Sequence, residues 1–191
     1  MTTLNASAPV GKERKYALVE RERRFLLRRR PAGDVLRTVR IVDRCLTGSR
    51  IRLREMTELD AAGGTTASVA RKLTQKVPSP DGGPGLITTM YLSEAEYGMF
   101  AALPAATLTK SRLSVPPLGV DLFGGELTGL VIGEVEFDDD ASMARFAPPA
   151  AAVAEVTRDP RLTGGRLALT TAAELAAVLA DYGVTIPASP R

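Results

Sequence analysis

The chain of 191 residues contains no histidine, which excludes imidazole-based catalytic triads, histidine-ligated zinc and imidazole proton shuttles. Catalysis, where present, falls to carboxylates, lysine, hydroxyls or a metal ion. Cysteine occurs once, as Cys45. A single thiol allows neither an intrachain disulfide nor a thiolate cluster for zinc or iron–sulfur, and it fits a reducing, cytoplasmic setting. Cys45 itself reads as a core residue. Tryptophan is absent and aromatic residues make up 5% of the chain, so surfaces for stacking nucleic-acid bases are few. No stretch approaches the roughly 20 apolar residues of a membrane-spanning helix. The opening MTTLNASAPVGKERK lacks the apolar core of a signal peptide. Residues 1–15 are therefore expected as a mobile arm, 16–183 as one domain and 184–191 as a loose tail, with no membrane partner.

What the chain does have is segregated charge. Residues 12–54 carry fifteen Lys and Arg against five acids, whereas residues 121–140 carry seven acids and no base. A charged run on its own is ordinarily a solvated face. Periodicity argues for more. In LVERERRFLL, residues 18–27, Glu20, Glu22 and Arg24 stand two apart between apolar flanks; in a strand, alternate side chains share a face, so these three form one row. Four further stretches repeat the pattern: RIRLR with Arg50, Arg52 and Arg54, RKLTQK with Lys72, Thr74 and Lys76, LTKSRLSV with Lys110 and Arg112, and LVIGEVEF with Glu134 and Glu136. Each reads as a strand with one polar and one apolar face. If the sheet closes into a barrel with these rows inward, isolated ions there cost several kcal/mol each unless paired or bound. The arginine and lysine rows suit linked phosphates, and the glutamates suit a hard divalent cation.

Strands are predicted near 16–27, 40–47, 50–58, 68–77, 86–92, 105–115, 118–123 and 129–138, enough to close a barrel. LDAAGGTT and PSPDGGPG read as loops. Ser93 with Glu96 forms a capping box that predicts a helix over 94–103, and Thr171 with Glu174 repeats it before LAAVLADYG, with Gly183 as the stop. FAPPAAAVAE reads as a short helix or loop. The expected fold class is α+β: an eight-stranded antiparallel β-barrel with outer supporting helices.

ERERR resembles the ExExK signature that opens CYTH domains, the triphosphate tunnel metalloenzymes, with Glu20 and Glu22 matching and Arg24 where lysine is usual. RIRLR is similar to the family's second-strand arginine pair, KLTQK to its lysine strand and TKSRLSV to its Lys-x-Arg strand. VDLFGGELTGLVIGEVEF is similar to its acidic segment, with Asp121, Glu134 and Glu136, and AEVTRDPRLTGGRLA to its closing segment. The resemblance covers about residues 17–170. It implies that the barrel is a tunnel, with a metal-bearing acidic side and a basic side that grips a triphosphate. Carried over, Glu20 and Glu22 are catalytic; Glu20, Glu22, Glu134 and Glu136 hold magnesium or manganese, with Asp121 as a supporting acid. Arg52, Arg54, Lys76, Lys110 and Arg112 bind phosphates, joined by Arg24 in the lysine's place and by Arg50 and Lys72 at strand edges.

Members of the family hydrolyse inorganic, thiamine, nucleoside or RNA triphosphates, and some cyclise nucleotides. The resemblance therefore implies a metal-dependent triphosphatase with a small-molecule substrate. Inorganic triphosphate is expected first, because no aromatic residue sits in the charged rows to stack a base. The rival class is a non-catalytic module that binds polyphosphate or RNA. A nucleic-acid partner is not expected, since clustered glutamates repel its backbone.

Overall fold

The apolar/charged alternation folds as strands throughout: β1 (Leu18–Glu20), β2 (Glu22–Leu27), β3 (Arg37–Leu46), β4 (Ile51–Leu59), β5 (Thr65–Val77), β6 (Gly85–Leu92), β7 (Ala105–Val115), β8 (Leu118–Phe123), β9 (Val131–Glu136) and β10 (Ala152–Glu155). The structure is a computed structural model and describes residues 15–60, 63–80 and 83–185. The expected arm therefore lies outside the described residues except for Lys15, and the expected tail except for Val184 and Thr185.

All ten strands belong to one antiparallel sheet in the order β1-β6-β5-β4-β3-β7-β8-β9-β2-β10. Ten stand where eight were expected, for two reasons. The strand expected over 16–27 breaks at Arg21: before it β1 pairs with β6, and after it β2 pairs with β9. The other addition is β10, in the stretch expected as helix or loop. Ala152–Glu155 pair with Phe25–Leu27, so the backbone groups on the free side of β2 override the weak strand preference of alanine. The hydrogen-bonded ladder is open, ending at β1 and β10. Yet β1 and β2 sit near opposite ends of the strand order with one residue between them, so the sheet has to curl until those ends meet.

Short turns set the register. Between β3 and β4, Gly48 takes a φ of +70°, a conformation that glycine adopts without strain. Helix α1 (Glu94–Ala101) starts at the expected capping box of Ser93 and Glu96 and lies on the outer side of the sheet. Arg44, on that side, donates from Nη2 to the Ala101 and Leu103 carbonyls at 3.0 and 3.1 Å.

Two short helices, α2 (Asp140–Arg145) and α3 (Gly164–Leu167), precede α4 (Ala172–Ala180), which begins at the capping box of Thr171 and Glu174. The chain turns away at Gly183, φ +65°. The expectation of outer support holds for α1 and fails for α4. Leu175 and Leu179 of α4 pack with Val156, Leu162, Leu167 and Val184 onto Leu26, Leu108, Phe123 and Ile132. Those four strand residues continue the charged rows and are apolar, so they require cover of their own, each buried Leu contributing about 1.5–3 kcal/mol. A second core lies on the opposite face of the same strands, around Phe25, Leu27, Val120 and Val135 under Phe137 and Phe146. No helix among the described residues is long and apolar enough to cross a membrane.

Candidate active site

Directly opposed residues of neighbouring strands share a face, and the register follows one face around the sheet. Lys72 opposes Arg54, which opposes Asp43, which opposes Leu108. One step along, Thr74, Arg52 and Cys45 line up, and Met56, Ile41, Lys110 and Phe123 do the same on the other side. Arg112, Asp121, Ile132 and Leu26 form the next row, flanked by the pairs Glu134–Arg24 and Glu136–Glu22. Leu18 opposes Ile87, which opposes Lys76, and this places Glu20 on the same face. Lys76 Nζ lies 2.5 Å from Glu20 and 3.7 Å from Glu22, although β5 and β2 are far apart in the strand order. That contact makes the shared face the concave one.

On the basic side the cations are already paired by buried carboxylates. Asp121 has no exposed surface. It accepts hydrogen bonds from Lys110 Nζ and, at 2.7 Å each, from Arg112 Nε and Nη2. Arg112 also bonds Glu134. Asp43 accepts from Arg54 Nε at 2.6 Å and Nη2 at 2.7 Å. Burial alone would raise the Asp43 carboxyl, but the bonds and charge of Arg54 outweigh it and hold it below its usual range. Glu134 is likewise pulled down, since Arg112, Lys110 and Lys76 together exceed the burial effect. Lys110 is pushed down by burial, only partly offset by Asp121.

Asp43 was not among the expected site residues. Its signal was present: it breaks the Val39, Ile41 apolar row, and the hairpin around Gly48 places it opposite Arg54. Arg52 differs from its neighbours. Its Nε is buried with no hydrogen-bond partner, 3.7 Å from Asp43, and burial first, then the like charge of Arg54, lower its pKa.

The acidic side is less neutralised. Lys76 is the ammonium that reaches both Glu20 and Glu22. The Glu22 carboxyl is raised, first by burial and then by the charges of Glu134 and Glu20, against the pull of Lys76 and Arg24. Glu136 is exposed at the end of β9. A cavity of about 650 Å³ opens beside this group where the ends of the sheet meet, lined among others by Glu20, Glu22, Arg23, Glu155, Thr157 and Arg158.

The structure places four other expected residues as follows. Asp121 was expected to support a metal; both of its oxygens instead hold Lys110 and Arg112. Arg24 was expected on the substrate; its guanidinium donates to main-chain carbonyls. Arg50 lies outside β4 and is exposed, too far along the row to join it. Lys72 is on the right face, with its Nζ 4.8 Å from the Tyr91 ring.

The fold is shared with solved proteins. The crystal structure of the inorganic triphosphatase NE1496 superposes with a TM-score of 0.52 at 24% identity, covering 80% of this chain and 96% of that one. A second structure, of the hypothetical protein NE1496, gives 0.51 at 26% identity, covering 80% and 99%. The chain has the fold of the CYTH, or triphosphate tunnel metalloenzyme, family. No family model and no curated protein matches the sequence itself.

The resemblance read from the sequence implies a metal ion, and the donor set can be compared with that expectation. Among the described residues no three Asp, Glu or Cys side chains stand close enough to hold an ion as folded. The chemistry nevertheless fits a hard cation. Glu20, Glu22 and Glu134 offer only carboxylate oxygens, and Lys76 already places positive charge between Glu20 and Glu22. Burial first, and then the repulsion of Glu134 and Glu20, raise Glu22, and a bound cation would offset both.

Proposed function

We propose that this chain is a metal-dependent phosphohydrolase that cleaves the terminal phosphate of a triphosphate, with inorganic triphosphate as first substrate and the curled sheet serving as its tunnel. The observation that carries the reading is Arg52: on a face where Arg54, Lys76, Lys110 and Arg112 each bond a carboxylate, its buried Nε has no acceptor, as is also true of Arg24 Nε, whose other guanidinium nitrogens are taken by main-chain carbonyls. A phosphate oxygen supplies one, with the fork geometry that guanidinium favours. The likeness to a protein named as an inorganic triphosphatase supports the same reading.

Glu20, Glu22, Glu134 and Glu136 are the residues that would hold magnesium or manganese. A divalent ion there supplies neutralisation of the phosphate oxygens. Arg52 and Arg54 bind the phosphate chain, while Lys110 and Arg112, fixed by Asp121, stabilise the charge that builds as the terminal group transfers. Water attacks the terminal phosphorus in line, the bridging P–O bond breaks, and pyrophosphate leaves with the electron pair. The water's proton passes to a carboxylate of the acidic side, Glu22 being the one that lines the seam cavity together with Glu20.

A nucleoside triphosphate is the second reading, and Tyr91 favours it. This ring, 72% exposed, faces Lys72 from the adjacent strand on the inner face. It is a base-stacking surface that the charged rows themselves did not contain. The test is phosphate release from inorganic triphosphate, ATP, thiamine triphosphate and pyrophosphate with magnesium, manganese or chelator. Release from inorganic triphosphate ahead of ATP, abolished by chelator, is expected; the reverse order selects the nucleotide reading. Tight binding without product would make the chain a polyphosphate sensor.

A further inference from the structure

Arg24 stands on the inner face opposite Glu134, where the CYTH signature carries lysine, and only 7% of it is exposed. Its guanidinium donates to three main-chain carbonyls of the C-terminal segment: Nη1 to Leu162 at 2.8 Å, and Nη2 to Thr157 at 3.0 Å and Val156 at 3.4 Å. The main chain adds two more bonds. The Arg24 amide donates to Thr157 Oγ1 at 2.9 Å, and the Val156 amide donates to the Arg24 carbonyl at 2.8 Å. Glu22, its ion-pair partner, is 3.7 Å from Nε.

The segment held this way begins the stretch that fills the apolar end of the inner face. Val156, Leu162, Leu167, Leu175, Leu179 and Val184 pack onto Leu26, Leu108, Phe123 and Ile132. Along β2 the inner row thus runs Glu22, Arg24, Leu26, and Arg24 sits at the border between charge and hydrocarbon. A linear polyanion that follows the basic rows meets a packed apolar plug there, and burying a phosphate in it without partners is prohibitive. Arginine suits the border better than lysine. Its planar fork spreads donors over several carbonyls while its charge stays beside Glu22 and Glu134.

We infer that Arg24 is a specificity-determining latch: by pinning residues 156–162 it seals the apolar end of the tunnel and restricts the substrate to short polyphosphates. The inference rests on the triphosphatase reading above. The test compares the full-length wild type with Arg24→Met, Thr157→Val and Arg52→Ala, using tripolyphosphate and a long-chain polyphosphate as substrates and amide exchange over 156–184 as a second readout.

Wild type is expected to prefer tripolyphosphate, and Arg24→Met to narrow that preference about tenfold in kcat/KM while exchange over 156–184 accelerates. Arg52→Ala should weaken both substrates in proportion and leave exchange unchanged. A rise in KM for both substrates in Arg24→Met, with unchanged exchange, overturns the latch and returns Arg24 to the substrate. If Arg24→Met does not fold, Thr157→Val decides, because it loosens the same segment with the guanidinium intact; no change in either readout overturns the inference. If wild type hydrolyses neither chain, the triphosphatase reading fails by itself. The latch is then judged by calorimetric binding of the two chains to wild type and Arg24→Met, where equal length preference overturns it.

Discussion

The two kinds of carboxylate on the inner face are held in opposite ways. Asp43 and Asp121 are buried, and each is hydrogen-bonded by a guanidinium through two nitrogens. Glu20 and Glu22 lie beside the seam cavity and share the ammonium of Lys76. The aspartates are framework: they neutralise and orient the cations of the basic side, so under the proposed function those side chains would need little reorganisation when an anion arrives. The glutamates are held by single contacts to Lys76 and, for Glu22, by Arg24 at 3.7 Å, contacts that a bound cation would replace under the proposed function. Position in the row separates the two sets, since the aspartates lie between apolar neighbours and the glutamates near strand ends.

The largest effect that would break this comparison is on the glutamates. Glu20→Gln combined with Glu22→Gln is expected to lower metal-dependent phosphate release at least about 10⁴-fold, roughly 5 kcal/mol of transition-state stabilisation, with little change in thermal stability. Turnover near wild type would remove both from the site. Asp121→Asn should do the reverse. It leaves Lys110 and Arg112 buried without their shared counter-charge, a loss of about 3–5 kcal/mol, read as a lowered denaturant midpoint with unchanged slope. A wild-type midpoint would mean that Asp121 is not framework. Arg52→Ala sharpens the contrast between the bases that hydrogen-bond a carboxylate and the one whose Nε has no hydrogen-bond acceptor. KM should rise about 30-fold, roughly 2 kcal/mol, with a smaller change in kcat, while the midpoint stays close to wild type because no carboxylate bond is lost. An unchanged KM would show that the free Nε does not meet substrate.

Much of this was legible before any coordinates. Strict alternation located the strands from β3 to β9 within a few residues, because a half-buried strand requires it. The capping boxes at Ser93 and Thr171 gave the starts of α1 and α4 for a similar reason: side chain and main chain satisfy each other locally. What stayed hidden depends on distant partners. Nothing local marks Arg21 as the point where the chain leaves one ladder for another, nor Ala152–Glu155 as a strand, since its pairing with β2 comes from elsewhere in the chain. For the site, period two correctly put Glu20, Lys76, Arg112 and Glu134 in phase on one face. It could not say which cation meets which anion across the curl; the expected roles of Asp121 and Arg24 came from the family resemblance instead.

Asp159 provides the smallest test and a control for the comparison, because it is a paired carboxylate away from the inner rows. It accepts bonds from the Arg161 guanidinium at 2.8–3.1 Å and from the Tyr182 hydroxyl at 2.6 Å, tying the turn after β10 to the end of α4. Those bonds, Arg161 first, bring its carboxyl from the usual 3.8 down to about 2 against a smaller opposing effect of burial. The group is more acidic folded than unfolded, so its stabilisation is complete above about pH 4 and is lost as pH falls through 2. Asp159→Asn is therefore expected to cost about 1 kcal/mol at neutral pH, and to make unfolding less pH-dependent between 4 and 2 than in wild type. Parallel acid limbs for the two proteins would show that this carboxyl is not shifted. A drop in triphosphate affinity in the same variant would show that tension at the plug reaches the basic rows, and framework and site would no longer be separable.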